Sequence, residues 1–249
     1  MKNDGVSMQT QNMKKLLDEL GPWHFDFEIV DGLRTNISTN REKRSFRDPK
    51  NQWRTILSET GINISKAKML DCGCNSGAMC FFAARDGFDE CVGIDGHKQW
   101  IDQAEFIRGY QSEEIKNKTT FINKRIQDYK SDLEFDLVLF NGIFYHLPDP
   151  MNTLEKITKL IKPNGWITIN TAIAQGNNGC LKVKPESTLP MSGVDGLSVI
   201  PDGPDVLITI LKWLGFDNCK ITFLRENRME ILAKKKKDNR NPIKRGYKK

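Results

Sequence analysis

Leu70-Asp71-Cys72-Gly73-Cys74-Asn75-Ser76-Gly77-Ala78 is an apolar run that breaks into small residues and then into a helical pattern. Upstream, Ala67 to Cys72 read as a buried strand. Downstream, Ala78 to Arg85 read as a helix closed by Gly87. Small residues between strand and helix let the chain turn tightly and let a ligand approach the backbone. The helix N-terminus offers unpaired N–H groups. In an open α/β sheet ligands sit at the carboxyl ends of the strands, where this turn lies. A second strand, Glu90 to Ile94, runs into Asp95 within Val92-Gly93-Ile94-Asp95-Gly96, 24 residues after Asp71. An acid at that place can accept both hydroxyls of a ribose. The dinucleotide fingerprint G-x-G-x-x-G would need glycine at 73, 75 and 78, and Asn75 and Ala78 depart from it. A nicotinamide dehydrogenase is therefore disfavoured. No P-loop lysine follows the turn, and neither H-E-x-x-H nor G-x-S-x-G occurs.

The same rhythm extends outward. Lys98 to Ile107 read as a helix, Thr119 to Ile122 and Phe135 to Phe140 as strands, and Met151 to Ile161 as a helix. Lys162-Pro163-Asn164-Gly165 is a sharp turn before a strand at Trp166 to Ala172. Pro204 opens a helix to Leu214 capped by Gly215. Lys220 to Leu224 and Met229 to Leu232 form a closing hairpin. Alternating strands and helices imply a mostly parallel sheet with helices on both faces. Before this rhythm starts, Met13 to Leu20 form a short helix stopped by Gly21-Pro22. His24 to Val30 alternate as a strand, 36–50 read as a loop, and Trp53 to Leu57 begin a helix ending near Gly61. Residues 1–62 are thus expected to form an N-terminal cap, 63–233 the main domain and 234–249 a basic tail.

The 249 residues carry 38 Lys+Arg against 32 Asp+Glu, a formal charge of +6. From Lys234 onward nine basic residues oppose Asp238, so the tail holds +8 and the first 233 residues hold −2. A near-neutral body weakens the case for a broad nucleic-acid-binding face, although the tail alone could attract a polyanion. No apolar run of about 18 residues exists to span a membrane. The start, Met1-Lys2-Asn3-Asp4-Gly5, lacks the apolar stretch of a secretory signal. Six cysteines without C-x-x-C, beside three histidines, make no metal-binding spacing. They read as small, reduced, buried thiols of a cytoplasmic protein.

The joint pattern resembles the class I S-adenosylmethionine-dependent methyltransferases. It is carried by 70–77, by Gly93-Ile94-Asp95-Gly96, by Phe135-Asp136-Leu137-Val138 and by Leu160-Ile161-Lys162-Pro163-Asn164-Gly165, in family order over roughly 65–233. The resemblance implies a Rossmann-like three-layer sandwich, with a mostly parallel seven-stranded sheet whose last strand is antiparallel. It implies S-adenosylmethionine as cofactor. Asp71, Gly73, Cys74 and Gly77 would surround its methionine portion, with Asn75 also among the cofactor-binding residues. Asp95 and Gly96 would meet the ribose, Ile126 and Gln127 would flank the adenine, and Asn141 would face the reacting methyl. Asn75 stands where that family usually has glycine, and asparagine tolerates the left-handed conformation such a turn needs.

A narrower likeness is to the tRNA wobble-uridine carboxymethyltransferases and their plain methyltransferase relatives. It rests on Asn141-Gly142-Ile143-Phe144-Tyr145-His146-Leu147, on Val199-Ile200-Pro201 and on Trp213-Leu214-Gly215-Phe216. The carboxymethyl branch places a lysine before its Gly-Pro to hold the cofactor's extra carboxylate, and this chain has Leu20. Tyr145 and Arg228 match the other two anion-holding positions. Loss of the lysine points to ordinary methyl transfer.

An oxygen nucleophile often needs a base near its proton, and His146 is the titratable candidate. It could equally pack beneath its loop. Tyr145 could orient the substrate, Arg228 could hold an anionic substrate group, and Trp23 with His24 could form a lid or a staple for the cap. The segment 173–202, rich in Gly, Asn, Pro and Ser, reads as a long loop overhanging the site. A small-molecule or glycan acceptor is expected ahead of tRNA. A tRNA-modifying enzyme and a non-catalytic cofactor-binding protein are the alternatives.

Overall fold

The computed structural model describes residues 8–30, 32–35, 48–174, 176, 179–185 and 197–237. The chain enters through α1 (Met8–Leu20), β1 (Glu28–Val30), β2 (Leu33–Arg34) and α2 (Pro49–Thr60). It continues through β3 (Lys68–Cys72), α3 (Ala78–Asp86), β4 (Glu90–Asp95), α4 (Lys98–Gly109), α5 (Glu113–Lys118) and β5 (Thr119–Asn123). Then come β6 (Phe135–Asn141), α6 (Pro150–Thr158), β7 (Ile161–Ala172), β8 (Leu181–Pro185) and β9 (Leu197–Pro201). α7 (Pro204–Trp213), β10 (Phe216–Arg225) and β11 (Arg228–Lys235) finish the fold.

Seven strands make the central sheet in the order β10-β11-β7-β6-β3-β4-β5. Pairing is parallel from β5 through β7, and the last strand, β11, runs antiparallel to both β7 and β10. The Rossmann-like three-layer architecture expected above is therefore present. One sheet face packs with α2, α3 and α4 around Met69, Phe81, Phe88 and Ile107. The other packs with α6 and α7 around Phe140, Leu154, Ile167 and Leu207. β3 and β6 lie side by side although β4 and β5 intervene in sequence, so strand order reverses there. A ligand crevice belongs at the carboxyl ends of such a pair.

Several local expectations shift. β1 is only three residues long, not seven. α2 starts at Pro49, inside the segment expected to be a loop, because Asp48 caps it by accepting the Lys50 N–H and proline suits the first turn. Residues 36–47 of that loop lie outside the described residues. The turn at 162–165 is nested in β7: Ile161 pairs with Phe135 and Trp166 already with Leu137, so the residues between bulge out of the ladder. Trp213, the last residue of α7, is 46% exposed. Leu17, Trp23, Ile29, Trp53 and Ile56 of the cap belong to the same buried cluster as Phe81, so the cap shares the main core.

The expected start of the basic tail is also corrected. Lys234 and Lys235 are strand residues, and Lys235 is buried. Its ammonium donates to Thr158 O at 2.9 Å and Ile161 O at 2.5 Å, closing the end of α6. A cation there meets carbonyls left open at a helix C-terminus. Lys235→Met is expected to lower stability by about 1–3 kcal/mol, read as a lower urea midpoint, because those carbonyls lose their donor. An unchanged midpoint would contradict this role. Residues 238–249 lie outside the described part.

Candidate active site

Three left-handed residues within five shape the turn after β3: Gly73 (φ +72°), Asn75 (φ +51°) and Gly77 (φ +82°). The N–H groups of Gly73 and Cys74 both donate to Ile94 O, at 2.8 and 3.0 Å, which ties the turn to the end of β4. A Cβ at Gly73 would lie 2.4 Å from Ile143 Cγ2, and one at Gly77 2.6 Å from Phe121 Cζ. Both positions therefore need glycine for space as well as for φ. Asn75 keeps the turn by accepting the Ser76 N–H on Oδ1 at 2.7 Å.

Asp95 closes β4 and is nearly buried. Its Oδ2 accepts the Asn75 N–H at 3.0 Å and its Oδ1 accepts the His97 N–H at 2.9 Å. A carboxylate has about four acceptor sites, so capacity for two further donors remains. Burial raises the Asp95 carboxyl above its ordinary value, and the two N–H donors pull it back. Asp71, on β3, is buried and pushed up to about 7 by burial first and by the charge of Asp95 second. Cys74 is buried beside them, and burial first, then Asp71 and Asp95, raise its thiol well above its ordinary value.

Beyond the acids, Gly96 follows β4, and a short 3-10 turn, Ile126–Asp128, follows β5 and carries Ile126 and Gln127. Asn141 ends β6. Its Oδ1 accepts from Asn170 N at 3.0 Å and Thr168 Oγ1 at 3.3 Å. Its buried Nδ2 has no hydrogen-bond partner among the described residues.

Tyr145, His146 and Arg228 meet as one group. Arg228 donates from Nη2 to the Tyr145 hydroxyl at 3.1 Å and lies 5.5 Å from the centre of its ring. The Tyr145 and His146 rings are 3.9 Å apart between centroids. Burial, and secondarily the Arg228 charge, push His146 down to about 4. The ring is neutral at physiological pH, and a base that weak is poorly matched to taking a proton there.

Of its two expected places, lid or staple, Trp23 takes the staple. It is buried, its Nε1 donates to Leu17 O at 2.8 Å, and its ring leans on Phe106. It is a packing residue that holds the cap to the core, because its large apolar ring is best satisfied there. His24 does reach the turn: it bonds the Asn75 side chain through Nδ1 and lies against Trp100 with centroids 4.6 Å apart. The segment 173–202 is likewise not a plain loop. β8 and β9 pair as a hairpin, with 186–196 between them outside the described residues, and β9 packs on the turn holding Tyr145 and His146. Cys180, expected to be buried, is exposed, with its thiol on Asp202 Oδ2.

A row of polar residues, which pattern reading misses, crosses the sheet from Asn141. In register, Asn141 faces Asn170 and Asn170 faces Glu230. Arg228 Nη1 donates to Asn170 Oδ1 at 3.5 Å, and Asn170 Nδ2 reaches Glu230 at 3.4 Å. Glu230 is fully buried and also accepts from Gln52 of α2 and from Thr222 Oγ1. A buried carboxylate persists only when so satisfied.

A family model described as a methyltransferase domain matches residues 64–198. A tRNA U34 carboxymethyltransferase of Nautilia profundicola is 28% identical over 70% of this chain, and one of Aliarcobacter butzleri is 26% identical over 85%. The chain spans 56% and 62% of those two proteins' lengths. In fold it is similar to the N-terminal domain of EvdMO1 solved with S-adenosylhomocysteine, with a TM-score of 0.73 and 18% identity. That likeness covers 94% of this chain and 99% of that one. It is also similar to the glycopeptide N-methyltransferase MtfA complexed with S-adenosylmethionine, with a TM-score of 0.58 and 14% identity over 80% of this chain and 99% of that one. The residues present fit such a cofactor: Asp95 retains acceptor capacity suited to two ribose hydroxyls, Asp71 is an acid suited to an ammonium, and Asn141 has an unsatisfied buried amide. The chain belongs to the methyltransferase domain family.

Proposed function

We propose that this chain transfers a methyl group from S-adenosylmethionine to a small-molecule or glycan acceptor by in-line displacement. The sulfonium supplies the leaving group. Asp95 accepts the ribose hydroxyls with Gly96 beside it, Ile126 and Gln127 flank the adenine, and Asp71 faces the methionine ammonium across the turn of Gly73, Cys74, Asn75 and Gly77. Tyr145, Arg228 and the Asn141 amide line the methyl end and orient the acceptor. His146 supports Tyr145 as a neutral ring. Catalysis then comes from alignment and exclusion of water.

Leu20 carries the choice of plain methyl over a carboxylated group. Its side chain packs against the core, so no ammonium stands where the resemblance expects one. The formal charge of −2 over residues 1–233 supports a small acceptor over a polyanion. A second reading, tRNA modification, is favoured by the names of the curated relatives.

Labelled methyl transfer separates the two. Incubation with tritiated S-adenosylmethionine should label a sugar or metabolite fraction, with little change between about 50 and 200 mM salt. Label in tRNA that falls steeply over that range, and falls again when 238–249 are removed, would establish the second reading instead. Removal starts at 238, because a cut at 234, where the basic run begins, would shorten β11.

A further inference from the structure

The strap Leu20–His24 is fixed at both ends beside the cofactor site. On α4, the fully buried Gln103 donates its Nε2 to Leu20 O at 2.7 Å and Pro22 O at 3.1 Å, and Gln99 adds a bond to Gly21 O. α4 begins at Lys98, just after Asp95 and the His97 whose N–H holds it. At the other end, His24 lies against Trp100 and bonds Asn75. The Asn75 N–H meanwhile holds Asp95 Oδ2. One residue thus joins the cap, the glycine turn and the acid. A glycine at 75 would keep the left-handed backbone and the bond to Asp95 but would lose the bond from Ser76 N–H and has no amide to reach the cap.

We propose that Asn75 and His24 form a latch that fastens the cap beside the nucleoside end of the site and slows cofactor release, with Asn75 as a positioning residue. Release requires the nucleoside to leave Asp95, and Asp95 is held by the residue that carries the latch. Breaking the side-chain contact therefore loosens the strap while Asp71, Asp95 and the backbone bond from residue 75 to Asp95 stay in place. The inference rests on the cofactor assignment, and the two fail differently: a wrong assignment gives no binding by the unaltered protein, whereas a wrong latch gives binding with unaltered release in the variants.

The test preloads the full chain with tritiated S-adenosylmethionine and follows its loss after a chase with unlabelled S-adenosylhomocysteine. Asn75→Gly and His24→Ala are each expected to release the label roughly fivefold faster, the size of one lost hydrogen bond. The double variant is expected to accelerate release by clearly less than the product of the two single effects, because both remove the same shared contact. Glycine relaxes a φ of +51°, so Asn75→Gly should fold and melt close to the unaltered protein. Release within about 1.5-fold of the unaltered rate, acceleration in one variant alone, or accelerations that multiply in the double variant would overturn the latch.

Discussion

Asp71→Asn is expected to raise the melting temperature of the ligand-free protein at pH 8 while weakening S-adenosylmethionine binding. The Asp71 carboxyl sits at about 7 in the fold against an ordinary value of 3.8. Between those values the native state holds a proton that the unfolded chain has lost, so stability falls as pH rises through that window. Ionising the buried acid costs the fold on the order of 4 kcal/mol, taken as an upper bound. For a chain of this size about 1 kcal/mol moves the midpoint by about 2–4 °C. Asparagine removes the penalty, so its midpoint should exceed that of the unaltered protein by roughly 5 °C or more at pH 8 and by less than half as much at pH 5, where only the first part of the window has been crossed. The ionised form earns its place by meeting a cation, so affinity should fall by roughly tenfold to a hundredfold. Melts at the two pH values with a calorimetric titration check both halves. Equal midpoint differences at pH 5 and pH 8 would contradict the buried-acid reading.

Asp95→Ala should weaken cofactor binding strongly. It strips the acceptor from the N–H groups of Asn75 and His97 and from the two hydroxyls assigned to it. Each polar group left without a partner costs about 1–3 kcal/mol. The dissociation constant for S-adenosylhomocysteine is expected to rise at least about a hundredfold, with the far-ultraviolet spectrum unchanged. Asp95→Asn, which keeps one acceptor oxygen, should fall between. Affinity retained within about threefold in Asp95→Ala would place the ribose elsewhere.

What was legible in the sequence was local. The apolar runs of β3, β4 and β6, the small residues between Asp71 and Ala78, and the acid at the end of β4 are adjacent in the chain, so their spacing carries their geometry. The outcome differed where a partner lies far away in sequence. α5 is largely polar, with Ile115 its one buried residue, and shows no helical stripe. Gln103 reads as a surface residue of α4 yet is fully buried, because its amide serves carbonyls of the cap. Trp23 sits next to His24, but a helix carbonyl satisfies its indole and draws it into the core. Asn170 and Glu230 belong to different strands and touch only through β7–β11 register, which no window of sequence contains. The hairpin of β8 and β9 hid in a stretch whose alternation of Leu181, Val183 and Pro185 with lysines is too short to stand out from its turn residues.

A calorimetric titration of the intact chain with S-adenosylhomocysteine, run beside NAD, bears on all of this at once. One molecule of S-adenosylhomocysteine bound per chain, with no heat from NAD, is the result expected of a site built on Asp71, the glycine turn and Asp95. Absence of heat from S-adenosylhomocysteine with a folded protein, or binding of NAD in its place, would contradict it.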